Sequence, residues 1–174
     1  MAIALDYFLK RNISKEEDQK VLSLCIVDED GIAKLLPAHR TDECADFLAM
    51  RSRIVTYDNT IRNLYPYLTE EFIKDYELNR KVFDMFNYLK QETGHDISLS
   101  QLALATLGID KELSRLPRNW DNSRIVEIEE KLEARARYIH QLWTFGQRKG
   151  YLFYYIRGER KSVEVYFDDN YDAD

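Results

Sequence analysis

Runs of apolar residues in the first third of the chain predict a set of β-strands. Val21–Val27 is the clearest, because it is mostly aliphatic, contains no Gly or Pro and has the length of a buried strand. Residues 28–31 (Asp-Glu-Asp-Gly) have turn composition, so Ile32–Leu36 is predicted to pair back as the second strand of a hairpin. Ile3–Leu9 and Arg53–Tyr57 have similar strand-forming composition. The first part of the chain is therefore predicted to build a sheet.

Helical periodicity and capping signals dominate the middle of the chain. Ser98-Leu99-Ser100-Gln101 is a capping box, in which the Ser and Gln side chains satisfy backbone N–H groups at a helix start. That helix is predicted to end at Gly108, since glycine readily takes the left-handed conformation that closes a helix. The other predicted elements are a helix over Thr41–Met50, a strand over Lys81–Met85, a helix over Phe86–Glu92 stopped by Gly94, and a long helix over Ser123–Lys149 closed by Gly150.

The last strong pattern is a terminal hairpin. Tyr151–Ile156 and Lys161–Phe167 are strand-like and flank the turn-forming residues 157–160. Strands followed by helices and a closing hairpin predict an α/β fold, with a mixed β-sheet flanked by helices. Residues 1–167 are predicted to form a single domain, and residues 168–174 an acidic, solvated C-terminal tail.

Charge and composition narrow the classes of partner and location. The net charge of −6 argues against tight nonspecific binding of nucleic acid, although a local basic patch remains compatible with it. No apolar run approaches the roughly 20 residues needed to span a bilayer, and the first residues reach an acid without a basic segment. The predicted location is the cytoplasm, with no membrane partner. Cys25 and Cys44 are not in metal-binding or paired motifs and are predicted to be reduced structural thiols.

The region from 93 to 152 contains the most specific motifs. They follow the spacings T-G-H-x-x-S-L, W-x3-R-x2-E, L-W-x2-G and G-Y-L: Thr93, Gly94, His95, Ser98, Leu99, Trp120, Arg124, Glu127, Leu142, Trp143, Gly146, Gly150, Tyr151 and Leu152. This pattern resembles the C-terminal half of bacterial ribonuclease H-like exonuclease domains of the DEDD type, especially the helicase-associated group. The resemblance covers roughly residues 2 to 167 and implies a ribonuclease H-like single domain.

The resemblance also implies two-metal phosphodiester hydrolysis, in which four carboxylates hold two divalent cations. The first motif, Asp-x-Glu, reads Asp6-Tyr7-Phe8 here, so the Asp is present and the Glu is replaced by Phe8. The second motif follows the Tyr57-Asp58-Asn59 turn, and its Asp position falls on Asn63. The third, an Asp on the long helix, is replaced by Arg135. We therefore expect Asp6 to be vestigial, no bound metal, and no cofactor; Mg²⁺ or Mn²⁺ would be needed only in an active enzyme.

Arg135 shares an apolar helical stripe with four aliphatic residues: Ile128, Leu132, Ile139 and Leu142. A lone charge on a buried stripe is costly, so this arginine needs a partner. Our hypothesis is that an Asp6–Arg135 ion pair replaces the metals, because the resemblance brings these positions together and charge-assisted bonds are strong. The alternative is that the Arg135 side chain extends to the surface.

Other candidate groups have simpler interpretations. The acids at the start of the long helix can form a relocated metal site, or can be solvated acids that favour the helix dipole and pair with Lys131 and Arg137; they are Glu127, Glu129, Glu130 and Glu133. Asp84 is not assigned to the metal site. His95 and His140 accompany no nucleophile motif and are interpreted as ordinary turn and helix residues.

The terminal hairpin carries a cluster of aromatic and basic residues: Arg148, Lys149, Tyr151, Phe153, Tyr155, Arg157, Arg160 and Lys161. Aromatic and basic side chains together can stack on and neutralise single-stranded nucleic acid. Tyr and Arg also dominate protein–protein hot spots. The third interpretation is packing of the strand face, with the basic residues solvated.

These observations lead to three functional hypotheses. The first is a catalytically degenerate, exonuclease-like pseudoenzyme that binds a protein partner or larger assembly, or single-stranded nucleic acid. The second is an active metal-dependent 3′–5′ exonuclease acting on DNA or RNA. The third is an acidic regulatory protein that binds a basic site on a partner protein, suggested by the negative net charge.

Overall fold

The computed structural model describes residues 2–10, 20–37, 53–58, 82–109 and 124–167, and for residues 3, 6–10, 20–23 and 37 it describes the backbone alone. The predicted helix over Thr41–Met50, Cys44, Asn63, the connector with Trp120 and the acidic tail over 168–174 lie outside the described residues.

Five strands form one mixed sheet: β1 (Ala2–Lys10), β2 (Lys20–Val27), β3 (Ala33–Pro37), β4 (Arg53–Thr56) and β5 (Val82–Asp84). Their order across the sheet is β3-β2-β1-β4-β5. The β1–β2 and β2–β3 pairs are antiparallel, whereas β1–β4 and β4–β5 are parallel. Of the five described strands of this sheet, β2 therefore runs antiparallel to the other four.

The predicted hairpin over β2 and β3 is confirmed, and its turn is stabilised by local hydrogen bonds. The Asp28 carboxylate accepts hydrogen bonds from the backbone N–H groups of Asp30 at 3.1 Å and Ile32 at 2.8 Å. Gly31 has a positive φ of 79°, which glycine adopts without steric cost. The side chain of Cys25 on β2 is fully buried.

Three helices are described: α1 (Met85–Thr93), α2 (Leu99–Leu107) and α3 (Ile125–Lys149). The capping box at the start of α2 is confirmed, with both the Ser98 and the Gln101 side chains bonded to the opposite backbone N–H. All three helices end at left-handed glycines, as the sequence predicted: Gly94, Gly108 and Gly150. Local chemistry therefore sets the ends of all three helices and the starts of α1 and α2, whereas α3 begins without a side-chain cap.

The long helix α3 packs across β1 and β2 and against the strand Tyr151–Ile156 that follows it. Its buried residues are Ile128, Leu132, Ala136, Ile139, Leu142, Trp143 and Gly146. The predicted aliphatic stripe is thus confirmed, but Ala136 takes its central position. Arg135 is only partly buried and lies beside the stripe.

The C-terminal hairpin consists of β6 (Tyr151–Ile156) and β7 (Glu159–Glu164). Its turn is the two residues Arg157 and Gly158, both with positive φ, so the predicted four-residue turn over 157–160 is too long. This two-residue geometry matches the right-handed twist of the flanking strands. The described residues therefore form an α/β fold with a mixed five-stranded sheet flanked by helices and a C-terminal hairpin.

The chain after β7 returns to α3 through a close aromatic contact. The Phe167 ring stacks on Trp143, with centroids 4.6 Å apart and an interplanar angle of 9°. A Cβ at Gly146 would lie only 2.5 Å from the Phe167 ring. Gly146 is therefore required for this approach, which explains the L-W-x2-G spacing in physical terms.

Candidate functional site

The carboxyl ends of the parallel strands form the first candidate site. Strand order reverses between β1 and β4, because β2 and β3 lie on one side of β1 while β4 and β5 lie on the other. Ligands of open α/β sheets bind at the carboxyl ends of strands beside such a switch point. We call this the strand-end site. Its described side chains are Tyr57, Asp58 and Asp84, with Arg135 from α3.

Tyr57 lies at the centre of the strand-end site and is only 3% exposed. Its hydroxyl donates a hydrogen bond of 2.6 Å to the backbone carbonyl of Ile97. Burial raises the pKa of Tyr57 far above its ordinary value, and the negative charges of Asp84 and Asp58 raise it further, against the opposing charge of Arg135. Tyr57 therefore remains a neutral hydrogen-bond donor and ties the end of β4 to the start of α2.

Asp84 uses its carboxylate to cap α1. One carboxylate oxygen, Oδ1, accepts hydrogen bonds from the N–H groups of Phe86 at 3.0 Å and Asn87 at 3.4 Å, and from Asp58 N–H at 3.1 Å. The other, Oδ2, accepts from the Asn87 side-chain amide at 2.9 Å. Asp84 thus joins the ends of β4 and β5 to the start of α1, where a helix favours a negative charge.

Asp58 has a strained backbone with a φ of 74°. Aspartate is one of the few residues other than glycine that tolerate this left-handed conformation. The conformation directs the backbone N–H of Asp58 to Asp84, while the Asp58 side chain is exposed. The Tyr57-Asp58 turn is therefore shaped by the internal bonding of this site.

Arg135 supplies positive charge to the strand-end site. It lies on α3, and its charge acts on the Tyr57 hydroxyl by favouring the ionised form. Arg135 is therefore the described cation whose charge reaches this end of the sheet.

The other predicted motif positions are described in part. Asp6 pairs with Cys25 in the β1–β2 register, and Phe8 pairs with Ser23 just before an irregularity in the ladder. Asp6 is two residues beyond Ala4 and Tyr57 is two residues beyond Val55, and Ala4 and Val55 are register partners. Both backbones therefore run toward the same edge of the sheet. The side chains of 6 and 8 are not described, so the Asp6–Arg135 ion pair stays a prediction.

Asp84, which the sequence did not assign to the metal site, accepts four hydrogen bonds and is thus used within the domain. Among the described side chains, no three His, Cys, Asp or Glu residues come together as a metal-binding group. The side chains of residues 6 and 8 and the whole of residue 63 are not described, so the expected loss of the metal site stays a prediction.

The acids at the start of α3 pair with cations, as their helical spacing predicts. Glu127 accepts two hydrogen bonds from Arg124, at 2.8 and 2.9 Å, and lies 2.9 Å from the Lys131 amine. These hydrogen bonds lower the pKa of Glu127 to about 2. Glu133 forms the equivalent pair with Arg137 at 2.7 Å. This arrangement favours solvated ion pairs over a relocated metal site.

His95 and His140 lie in a turn and on a helix, as the sequence predicted. His95 is exposed in the turn after α1. His140 lies half-buried against the β2–β3 turn, where burial lowers its pKa despite a hydrogen bond to the Glu29 backbone. The neighbouring Arg137 donates a 2.6 Å hydrogen bond to the Gly31 carbonyl. His140 and Arg137 thus fasten α3 to the turn.

The second candidate site is the outward face of the β6–β7 hairpin. Tyr151, Phe153 and Tyr155 alternate with the buried Leu152 and Tyr154 along β6, and we call these three residues the aromatic row. The rings of Tyr151 and Phe153 are 5.1 Å apart in an edge-to-face contact.

The predicted basic residues divide between the two faces of the hairpin. The Arg160 guanidinium lies 3.8 Å from the Phe153 ring centroid, and its Nε donates to the Ala105 carbonyl at 3.0 Å. Lys161 is paired with Tyr154 in the register and therefore lies on the opposite face from the aromatic row. The exposed residues Arg148, Lys149 and Arg157 lie at the two ends of β6, and we call them the flanking cations.

Comparison with protein-family models, with curated proteins and with solved structures found no match. Within the described ranges, no helix has the length and apolar character required to cross a membrane.

Sequence reasoning missed the internal bonding of the strand-end site. Tyr57 and Ile97 are forty positions apart in the sequence, so no local pattern predicts the hydrogen bond between them. Asp84 carried a usable signal, because an Asp before an apolar helical run is a common N-cap. Phe167 was placed in the hairpin strand, but its stacking on Trp143 depends on the tertiary fold.

Proposed function

We propose that this chain is a ribonuclease H-like domain that has lost metal-dependent nuclease activity and acts as a binding module. The observation that carries the proposal is a positive charge near the strand-end site: α3 contacts β4, and the charge of its residue Arg135 acts on the Tyr57 hydroxyl. A two-metal nuclease would need free carboxylates at this edge.

The sheet supports the ribonuclease H-like part of the proposal. The order β3-β2-β1-β4-β5, with only β2 reversed, is the arrangement expected of that fold. Helix α3 packs on β1, β2 and β4, which supports the proposal because the resemblance has a metal-binding position on this helix. Fold alone does not define function, which is why the proposal rests on the site.

Thermal melting with and without Mn²⁺ tests the loss of metal binding. A ligand present at 100 times its dissociation constant stabilises a folded protein by about 2.7 kcal/mol. For a domain of this size that energy raises the melting temperature by roughly 5–10 °C. We expect Mn²⁺ to change the melting temperature by less than about 1 °C.

The matched control is Asp6→Asn, which removes the one anion that the first motif retains. A rise of several degrees in the wild-type protein that is absent from Asp6→Asn would show a working metal site and would contradict the proposal. Equal melting curves with and without the metal, in both proteins, are the expected result.

A further inference from the structure

The two end members of the aromatic row, Tyr151 and Tyr155, are exposed, and Phe153 between them is partly buried. Tyr151 and Tyr155 are each 36% exposed, whereas Leu152 and Tyr154 on the opposite face are 0% and 7% exposed. Alternate residues of a strand are about 7 Å apart. The row is therefore a line of ring-bearing positions along one face of β6, a strand that both α2 and α3 contact. The Phe145 ring of α3 lies 5.9 Å from the Tyr151 ring at one end of the row.

Arg160 adds a fixed planar group to the middle of the row. It lies opposite Tyr155 in the register, and its guanidinium covers the Phe153 ring at 3.8 Å. Its hydrogen bond to Ala105 at the end of α2 restrains the guanidinium there. Planar guanidinium groups stack on nucleobases much as aromatic rings do. Phe153 itself is covered, so Tyr151, Arg160 and Tyr155 are the exposed stacking groups.

The hairpin has a local charge opposite to that of the whole chain. Residues 148–164 contain five cations and two acids, a local excess of three positive charges, while the chain has a net charge of −6. Lys161 is 3.9 Å from Glu159. Arg148, Lys149 and Arg157 are exposed, so the flanking cations can contact an anionic ligand at both ends of the row.

We infer that the outward face of this hairpin binds single-stranded nucleic acid. Bases stack on Tyr151, Arg160 and Tyr155, and phosphates contact the flanking cations. Charge complementarity favours this ligand, and stacking on exposed rings tolerates any base. A protein hot spot would instead centre on a desolvated apolar pocket, whereas the exposed rings here have the exposed cations Arg148, Lys149 and Arg157 at the two ends of their strand. The inference rests on the proposed binding role of the domain.

Fluorescence anisotropy with a fluorescein-labelled oligothymidylate and a labelled oligouridylate tests the inference on the full chain. EDTA is present throughout to suppress any metal-dependent nuclease activity. Binding by the hairpin is thus measured separately from the loss of nuclease activity, and either proposal can fail without the other. We expect saturable binding of at least one oligonucleotide, weakening as NaCl is raised, because phosphate contacts release counterions.

Tyr155→Ala is the informative variant, because the Tyr155 ring has no ring contact among the described residues. We expect it to weaken binding about tenfold, since stacking contributes roughly 1–3 kcal/mol per base. Tyr155→Phe keeps the ring and should bind like the wild type. Arg157→Ala should weaken binding. It should also reduce, by about one, the slope of the logarithm of the binding constant against the logarithm of the NaCl concentration. Lys90→Ala removes an exposed cation far along the chain on α1 and should leave binding unchanged.

Two results would overturn the inference. One is the absence of saturable binding of both oligonucleotides, which would favour a protein partner for this face. The other is binding by Tyr155→Ala that equals that of the wild type while the melting temperature of the variant shows it folded.

Discussion

The strand-end site and the hairpin face use similar side chains in opposite ways. At the strand-end site, Tyr57 and Asp84 direct their polar atoms to backbone groups of the same domain. On the hairpin face, Tyr151, Tyr155 and Arg157 direct theirs to solvent. The difference teaches that the edge where a ribonuclease H-like enzyme would work is internally satisfied here, while groups available to a ligand lie on the hairpin.

Replacing Tyr57 and Tyr155 by alanine, each in its own variant, tests this comparison. It is expected to give the largest difference in the free energy of unfolding. Tyr57→Ala should lower the free energy of unfolding by about 3–5 kcal/mol, because it removes a buried ring and leaves the Ile97 carbonyl without its donor. Tyr155→Ala should change it by less than about 0.5 kcal/mol, as expected for surface positions. Urea denaturation measures both. Equal effects of the two substitutions would remove the distinction between the regions.

Gly146→Ala tests how firmly the hairpin region is joined to α3. The added Cβ would meet the Phe167 ring at 2.5 Å, so we expect a loss of about 1–3 kcal/mol in unfolding free energy from overpacking. The control is Thr144→Ala, an exposed position of the same helix. If the glycine variant is as stable as its control in chemical denaturation, Phe167 does not pack against α3 as described.

Asp84→Ala tests the hydrogen bonding of the strand-end site and should lower stability less than the preceding substitutions. Loss of an N-cap costs about 0.5–2 kcal/mol, and the Asp58 N–H loses its acceptor as well. Asp96→Ala is a matched control, because Asp96 is an exposed acid whose partner is Lys90 at 2.7 Å. Thermal melting should show a clear decrease for the first variant and little for the second. A larger decrease for Asp96→Ala would contradict the assigned role of Asp84.

Glu127 extends the comparison to an exposed ion pair, where we expect the smallest effect on stability. It is a polar group that is satisfied by its neighbours yet faces solvent, and its pKa is lowered to about 2 by hydrogen bonds from Arg124 and Lys131. A depressed folded-state pKa stabilises the fold above the ordinary glutamate pKa, and this contribution is lost as the pH falls toward 2. An NMR titration should give a midpoint near 2 in the wild type and a higher one in Lys131→Ala. An ordinary midpoint in the wild type would show that these ion pairs do not persist in solution.

Local chemistry made much of the fold predictable, and long-range contacts limited the rest. The Ser98 capping box, the Gly108 and Gly150 helix ends and the β2–β3 hairpin depend on neighbouring residues, so their patterns sufficed. The Thr106 hydroxyl instead bonds both backbone groups of Phe153, which is 47 positions away. No sequence period encodes such a contact.

The candidate sites were predictable to different degrees for the same reason. The hairpin cluster was visible as a run of aromatic and basic residues, but only the register separates Lys161 from the aromatic row. Arg135 was predicted to lie on the apolar stripe of α3, whereas the structure buries Ala136 instead and leaves Arg135 beside the stripe. Its effect on Tyr57, by contrast, depends on how α3 crosses the sheet.

Nuclease activity with Mn²⁺ on single-stranded DNA and RNA, beside an Asp6→Ala control, tests the central claim most directly. The account predicts no cleavage by the wild-type chain above that of the control, because Phe8 and Arg135 replace two of the carboxylates that the resemblance requires for two-metal hydrolysis. Metal-dependent cleavage by the wild type that Asp6→Ala abolishes would contradict it.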